Sequence, residues 1–147
     1  MSGRGGSLSP VSPTEAREAL LFHSGAHGDV DSPRWKYGFL GSLRPFSGLR
    51  EQNFHEVMGA LRVLAPALEG ELIARDVTAA LMGICHFGRA WGIHPSGMLR
   101  RNGLISDEDV ERLESWVWTI SYATTCVLDG AIDEAFHEYD QRRPAFP

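Results

Sequence analysis

A helical repeat of apolar residues covers most of this 147-residue chain after its first third. From Phe54 to Leu68 the apolar side chains recur three or four positions apart, which places them on one face of a helix. A second stripe predicts a helix over about 71–91, and a third predicts one over 107–128. No run of residues shows the apolar and polar alternation of a half-buried strand. The fold is therefore predicted to be all-α. The first two stripes consist of Phe54, Val57, Met58, Leu61, Leu64, Ala65 and Leu68, and of Ile73, Val77, Ala80, Leu81, Ile84, Phe87, Gly88 and Trp91.

Capping residues indicate where two of the helices begin. Ser12 is suited to the N-cap of the first helix, because Pro13 follows at the first helical position and Glu15 at the third. Gly25 is expected to end that helix. Ser106 is suited to the N-cap of the third long helix, and the acidic residues after it complement the helix dipole.

The connections between the helices are short, which favours a single-domain, irregular antiparallel bundle of about five to six helices. Short helices are expected near 95–102 and 132–139, and a long loop rich in glycine and aromatic residues joins the first and second helices. We predict a flexible N-terminal segment over 1–11, a helical domain over 12–141 and a loose C-terminal tail over 142–147.

The helix over 107–128 is apolar on two sides, and such a helix is usually sandwiched between neighbours. We therefore expect it to be the central helix. One side consists of Val110, Leu113, Trp116, Val117, Ile120 and Val127, and the other consists of Trp118, Tyr122 and Cys126.

Charge is distributed unevenly along the chain, whose formal net charge is −5. Residues 1–101 carry eleven basic and nine acidic side chains, whereas residues 102–147 carry three and ten. The acidic second part argues against a general nucleic-acid binder. Thirteen of the fourteen basic residues are arginine, which is typical of GC-rich, bacterial-like composition.

Several features predict a cytoplasmic protein. The first residues lack the apolar core of a secretion signal, and the longest apolar runs are too short to span a bilayer. Cys85 and Cys126 are therefore expected to be free thiols in a reducing compartment.

The stretch 33–50, which we call the aromatic–arginine segment, combines aromatic, glycine and basic residues and contains no acidic residue. Its four cations, Arg34, Lys36, Arg44 and Arg50, alternate with aromatic side chains. Exposed aromatic clusters are unfavourable unless the protein or a partner covers them. We expect a docked loop, half core and half contact surface, with a short helical turn around 37–43. The aromatic members are Trp35, Tyr37, Phe39 and Phe46.

Four residues form the best candidate for a metal site. His23, His27, Asp29 and Asp31 lie close together in the sequence, and imidazoles and carboxylates at such spacing are able to converge on a divalent ion. The two histidines would share a helical face if the helix continued through Gly25. The alternative is a polar, glycine-rich turn in solvent, which such clusters more often represent.

Other chemical motifs are incomplete. Glu134 and His137 have the spacing found in di-metal helical bundles, but only one copy of the motif is present. Helical projection places His137 and His86 away from the apolar stripes, so both are expected to face solvent. No phosphate-binding loop, dinucleotide motif or zinc-finger spacing is present.

Nucleophilic catalysis would require a thiol with a base beside it. Cys85 is the candidate nucleophile, and His55 or His94 would have to supply the base. A free cysteine at the edge of an apolar stripe is more often a small core residue, which is the interpretation we favour.

The leading hypothesis is a small protein-binding module, such as an inhibitor, an immunity-type factor, an adaptor or an accessory subunit. Arg34, Trp35, Tyr37 and Arg44 are the expected contact residues, because these residue types dominate interface hot spots. The acidic helix that begins at Asp107 offers a second surface for a basic partner.

Two alternatives stay open. One is an enzyme or sensor that binds a metal or small ligand at the His/Asp cluster or between helices beside His55 and Cys85. The other is a nucleic-acid-binding protein, in which the cations of the aromatic–arginine segment would be joined by Arg89, Arg100 and Arg101.

Overall fold

The computed structural model describes residues 11–142, and their regular structure is helical throughout, which confirms the all-α prediction. The helices are α1 Pro13–His23, α2 Pro33–Lys36, α3 Glu51–Leu64, α4 Arg75–Gly88, α5 Met98–Arg101, α6 Asp107–Leu128, α7 Ile132–Ala135 and α8 His137–Arg142. A 3₁₀ turn, Ala65–Leu68, follows α3, and a π-helical turn, Arg89–Ile93, follows α4. Six helices result if the single turn α2 is counted with its loop and α7 with α8, so the predicted number is also correct.

The predicted caps are present. The Ser12 hydroxyl accepts a hydrogen bond from the Glu15 amide, and the Glu15 carboxylate accepts one from the Ser12 amide. This backbone hydrogen bond to the carboxylate lowers the pKa of Glu15. Gly25 follows α1 with a φ of 74°, and Ser106 caps α6 through the Asp109 amide. Local sequence therefore determines where these helices begin and end.

The apolar faces of the helices form one continuous core. α1 packs against α3 and α4, and α6 packs against α3, α4 and α7. α6 supplies Leu113, Val117 and Ile120, all fully buried, so it is central as predicted. Within the described residues, no helix is long and apolar enough to cross a membrane.

The stripe over 71–91 is only partly buried, which corrects the sequence prediction. α4 begins at Arg75, because residues 69–74 form a turn and an extended link after the 3₁₀ turn. Ile73 lies in that link and is exposed. Phe87 is also exposed and packs its ring against Trp91 and His86 at the surface.

The prediction that α6 is sandwiched on two apolar sides is wrong. Trp118 is 62% exposed, Tyr122 is also exposed and Cys126 is partly buried. The stripe stays largely uncovered, although the Tyr122 hydroxyl donates a hydrogen bond to the Glu134 carboxylate of α7. The helix therefore has one buried apolar face and a second apolar stripe at the surface.

The helical turn expected around 37–43 lies earlier, at α2. Pro33 is suited to the first helical position, and the Ser32 hydroxyl caps the turn by accepting from the Arg34 amide. The chain then continues in tight turns through residue 46. The flexible segment predicted over 1–11 and the tail predicted over 142–147 lie outside the described residues, except for Val11 and Arg142.

Candidate functional site

The aromatic–arginine segment is fastened to the helices by two buried polar side chains. Nδ1 of His23, at the end of α1, accepts a hydrogen bond from the Phe39 amide at 2.9 Å. Nδ2 of Asn53, in the first turn of α3, donates to the Tyr37 carbonyl oxygen, also at 2.9 Å. Both bonds satisfy backbone groups that the turn leaves unpaired. The segment is thus held at the junction of α1 and α3.

The bond to Phe39 also indicates the tautomer of His23. Because Nδ1 accepts from an amide, the ring proton is carried by Nε2. Nε2 lies 2.9 Å from Oε1 of Glu56 in α3 and donates to it. This hydrogen bond lowers the pKa of Glu56, whose second oxygen accepts from Gln52. His23 therefore connects the segment to a carboxylate that stays ionised at neutral pH.

The segment has a buried half and an exposed half. Phe39, Leu40 and Leu43 belong to the core, and Phe39 meets Trp116 of α6 edge to face. Tyr37 is 42% exposed and Arg44 is exposed as well. The buried side chains fix the path of the backbone, and the exposed ones determine what the segment presents to solvent.

Each cation of the segment lies over an aromatic ring. Arg34 is 4.6 Å from the ring centroid of Phe22, and Arg44 is 5.4 Å from that of Trp91. Arg50 and Lys36 lie 4.7 and 5.2 Å from the Tyr37 ring. Ring contact restricts a guanidinium while its N–H groups at the edge remain able to donate. The stacked arginines are thus preorganised to bind planar acceptors such as carboxylates.

Only one of the four cations forms an ion pair among the residues that the structure describes. Arg34 lies 3.2 Å from a carboxylate oxygen of Glu18. Arg50 donates to the hydroxyls of Ser42 and Ser47 and to the Gly48 carbonyl oxygen, all neutral acceptors. Within the described part of the chain, Lys36 and Arg44 have no carboxylate within 4.0 Å. The segment therefore carries positive charge that the fold does not neutralise.

A cleft of about 240 Å³ opens between the segment, α1 and α3. Arg34 and Arg50 contribute positive charge to its wall, and Glu56 contributes negative charge. The other polar side chains of the lining are Tyr37, Gln52 and the buried His23 and Asn53. The cleft is small and mixed in charge, so it suits a single side chain of a partner better than a large ligand.

Trp35 is less accessible than its neighbours in sequence. Its ring lies against Gly25, since a Cβ added to that glycine would be 3.6 Å from the indole. The indole Nε1 is buried and has no hydrogen-bond partner among the described residues. Trp35 is half-buried, whereas Arg34, Tyr37 and Arg44 are exposed.

The four residues predicted as metal ligands take separate roles. Both ring nitrogens of His23 are used as described above, and the His27 ring stacks on Phe22 with centroids 3.8 Å apart. Nδ1 of His27 accepts from the Asp29 amide, and Asp31 lies exposed in the following turn. Among residues 11–142, no group of three or more histidine, cysteine or acidic side chains is arranged to hold a metal ion.

The residues considered for nucleophilic catalysis are also separate. Burial raises the pKa of the Cys85 thiol to about 11, which keeps it protonated at neutral pH. Nδ1 of His55 is 2.6 Å from the Tyr139 hydroxyl, and Nδ1 of His94 accepts from the Ser96 amide. His86 and His137 are exposed, as helical projection predicts.

Glu56→Gln is expected to lower the free energy of unfolding at pH 7 by about 0.5–1 kcal/mol, because the charged acceptor of the His23 proton is lost. The expected change is small because the Glu56 side chain is half-exposed to solvent. The pKa of Glu56 is lowered in the folded state, so its contribution is present above the unfolded pKa and is lost as the pH falls through the folded pKa. Urea titrations at several pH values should therefore show the difference from wild type vanish well below pH 4.5.

Glu111→Gln is the matched control, since Glu111 is exposed in α6 and forms no ion pair within the described residues. This variant should unfold like the wild type at every pH. A Glu56→Gln effect that persists unchanged into acid would contradict the proposed link between His23 and the ionised carboxylate.

Comparison of the chain with protein-family models, with curated proteins and with solved structures gives no match, so its function is argued from the site alone.

Proposed function

We propose that this chain is a small protein-binding module, of the kind that acts as an inhibitor, an immunity-type factor, an adaptor or an accessory subunit. The aromatic–arginine segment is its contact surface, and Arg34, Trp35, Tyr37 and Arg44 are the contact residues. The observation that carries the proposal is the set of ring-stacked cations, of which Lys36 and Arg44 have no carboxylate partner within the described residues.

The partner we infer is a protein that presents an acidic segment with aromatic side chains. Stacked guanidiniums bind carboxylates through paired hydrogen bonds, which are stronger than neutral ones. Tyrosine and arginine are also the residue types that contribute most to protein interfaces.

Anchoring of the segment supports this role. The bonds from His23 and Asn53 and the burial of Phe39 hold the backbone in place before a partner arrives. A preorganised surface loses less conformational entropy on binding than a mobile loop. We place the protein in the cytoplasm as part of the same proposal, because both Cys85 and Cys126 are free thiols.

The double variant Lys36→Gln with Arg44→Gln tests the proposal. The probe is a short fluorescein-labelled peptide in which Glu-Asp pairs alternate with tyrosine, and the measurement is fluorescence anisotropy at two salt concentrations. We expect wild type to bind the peptide and the double variant to bind about thirtyfold more weakly, since the two lost charged contacts contribute roughly 1 kcal/mol each.

Two controls accompany this experiment. Arg101→Gln removes an exposed cation outside the segment and should leave the affinity unchanged. The same peptide with Gln-Asn pairs should bind weakly to every variant. Equal affinity of wild type and double variant would contradict the proposal, and tighter binding of single-stranded DNA than of the acidic peptide would favour nucleic-acid recognition instead.

A further inference from the structure

The imidazole of His23 is buried between two hydrogen-bond partners that belong to different parts of the fold. His23 is only 4% exposed. Its Nδ1 accepts from the Phe39 amide of the aromatic–arginine segment, and its Nε2 donates to the Glu56 carboxylate of α3, both at 2.9 Å. Because Nε2 already carries the ring proton, a second proton is able to bind only at Nδ1. His23 is thus placed where one proton alters a contact between the segment and the helices.

Two other histidines also accept a backbone amide at Nδ1, and they show what is special about His23. His27 and His94 each accept from the amide two positions further along the chain, in bonds that are exposed to solvent. Water replaces such an acceptor when the ring takes up a second proton. The bond from the Phe39 amide to His23 is instead buried and joins residues 16 positions apart. A buried amide that loses its acceptor is unfavourable, so protonation of His23 alone has a consequence for the fold.

A second proton on His23 acts on its two hydrogen bonds in opposite directions. It turns Nδ1 into a donor that faces the N–H group of Phe39, so this bond is lost. It also makes the ring positively charged, which strengthens the bond to the ionised Glu56. The ring therefore stays on α3 while the segment loses its acceptor. Histidine is the side chain that ordinarily takes up a proton between about pH 5 and 8.

The charged groups around His23 act through Glu56 first. Among the described residues, Glu56 has the only carboxylate within 4.0 Å of the His23 ring nitrogens. The hydrogen bond from His23 lowers the pKa of Glu56, so this carboxylate is ionised over the range in which histidine titrates. The other titratable or charged side chains on the elements that pack against α1 are Arg34, Tyr37 and Arg50 in the cleft, Glu18 and His27 beside Arg34, and Asp76 of α4, which pairs with Arg17.

Other bonds keep the segment attached when the Phe39 amide is released. The Leu40 amide donates to the His23 carbonyl oxygen at 3.0 Å, and Asn53 donates to the Tyr37 carbonyl oxygen at 2.9 Å. Neither bond involves the imidazole, so both persist in acid. The backbone between them is the part that loosens, and it adjoins Tyr37, one of the proposed contact residues. Protonation therefore changes the contact surface and leaves the helical core intact.

We propose that His23 is a pH-sensitive anchor of the aromatic–arginine segment: a second proton at Nδ1 releases the Phe39 amide, and the loosened segment binds its acidic partner more weakly. The weaker binding rests on the proposed function, whereas release of the amide does not. The two parts are therefore tested by separate measurements.

NMR of the free ¹⁵N-labelled protein between about pH 7.5 and 5.5 tests release of the amide. We expect Nδ1 of His23 to be the unprotonated ring nitrogen at the upper pH. As His23 takes up its second proton, the Phe39 amide signal should shift and its protection factor against hydrogen exchange should fall. The Leu40 amide should keep its protection. A His23 ring that stays neutral to about pH 5.5, or a Phe39 amide that does not respond when the ring is protonated, would overturn the proposal.

Fluorescence anisotropy with the Glu-Asp and tyrosine peptide tests the effect on binding. Apparent affinity scales with the fraction of molecules in the binding-competent state, so we expect binding at least about threefold weaker at about pH 5.5 than at about pH 7.5. Charge alone predicts the opposite direction, because protonated histidines make the protein more positive while the peptide carboxylates stay ionised. Equal or tighter binding in acid would overturn the regulation. A released Phe39 amide without peptide binding at either pH would confirm the anchor and contradict the proposed function instead.

Two matched variants distinguish the anchor from general protonation of histidines. Asparagine offers an oxygen acceptor near the position of Nδ1 and takes up no proton, so His23→Asn should not bind the peptide more weakly in acid. His94→Asn removes an exposed histidine with a local Nδ1 bond and should keep the pH dependence of the wild type. A pH dependence that persists in His23→Asn or disappears in His94→Asn would contradict the assignment. The wild-type NMR titration decides the proposal on its own if His23→Asn does not fold.

Discussion

Phe54→Ala is expected to lower the free energy of unfolding by about 4 kcal/mol, because it removes a fully buried ring from the centre of the core. Phe54 stacks on Trp116 with centroids 5.7 Å apart and meets Tyr139 edge to face at 5.5 Å. The ring therefore joins α3 to both α6 and α8. Urea titration followed by circular dichroism measures the change, with an unchanged m-value as the sign that unfolding stays two-state.

Phe87→Ala is the matched control for this prediction. Phe87 is 41% exposed, and its ring contacts among the described residues are with the exposed His86 and the partly buried Trp91. Its loss should lower the free energy of unfolding by less than about 1 kcal/mol. The sequence pattern places both phenylalanines on apolar stripes, whereas the structure buries only Phe54. Similar effects of the two substitutions would therefore contradict the assignment of the core.

Gly41→Ala is expected to lower the free energy of unfolding by about 3 kcal/mol and to weaken binding of the acidic peptide. A Cβ at this position would lie 2.1 Å from the Trp35 carbonyl oxygen and 2.8 Å from that of Lys36. Both are backbone atoms, so no side-chain rotation relieves the overlap and the segment itself must shift. Urea titration and fluorescence anisotropy measure the two effects on the same protein sample.

Gly59→Ala provides the control for Gly41→Ala. Gly59 lies inside α3, and nothing surrounds its Cβ position within 4 Å. Alanine there should raise the free energy of unfolding by up to about 1 kcal/mol, because it favours the helix over the unfolded chain. The account of the segment would be contradicted if Gly41→Ala were as stable as wild type and bound the peptide with unchanged affinity.

The sequence predicts the helices well where local interactions determine them. The reciprocal bonds of Ser12 and Glu15 require only residues three apart, and the positive φ of Gly25 suits a residue without a side chain. The periodic stripe of α3 also becomes core as predicted, with Phe54 and Leu61 fully buried. These features depend on spacing along the chain, which is visible in the sequence.

Burial at the edges of the stripes could not be predicted in the same way. Periodicity indicates which face of a helix is apolar, but it does not show whether a neighbouring helix covers that face. Trp118 and Phe87 lie on apolar stripes, yet both are exposed in the folded protein. Only the tertiary arrangement decides such positions.

Only some features of the candidate site are visible in the sequence. The absence of acidic residues in 33–50 is visible in the sequence, and so is its mixture of arginine and aromatic residues. The hydrogen bonds that anchor the segment are not visible in the sequence, because their partners are far apart along the chain. His23 and Glu56 are 33 positions apart, and Asn53 and Tyr37 are 16 apart. The sequence instead suggests His23 as a metal ligand, because other histidine and aspartate residues are its neighbours in sequence. Its hydrogen-bond partners in the folded protein are distant in sequence.

The most direct test of the central claim is an NMR map of the acidic peptide on the ¹⁵N-labelled protein. If the aromatic–arginine segment is the binding surface, amide shifts on titration should cluster in residues 34–50, with smaller changes at the ends of α1 and α3 that hold the segment. Shifts that cluster outside the segment and the ends of α1 and α3, or no saturable shifts at peptide concentrations where anisotropy reports binding, would contradict it.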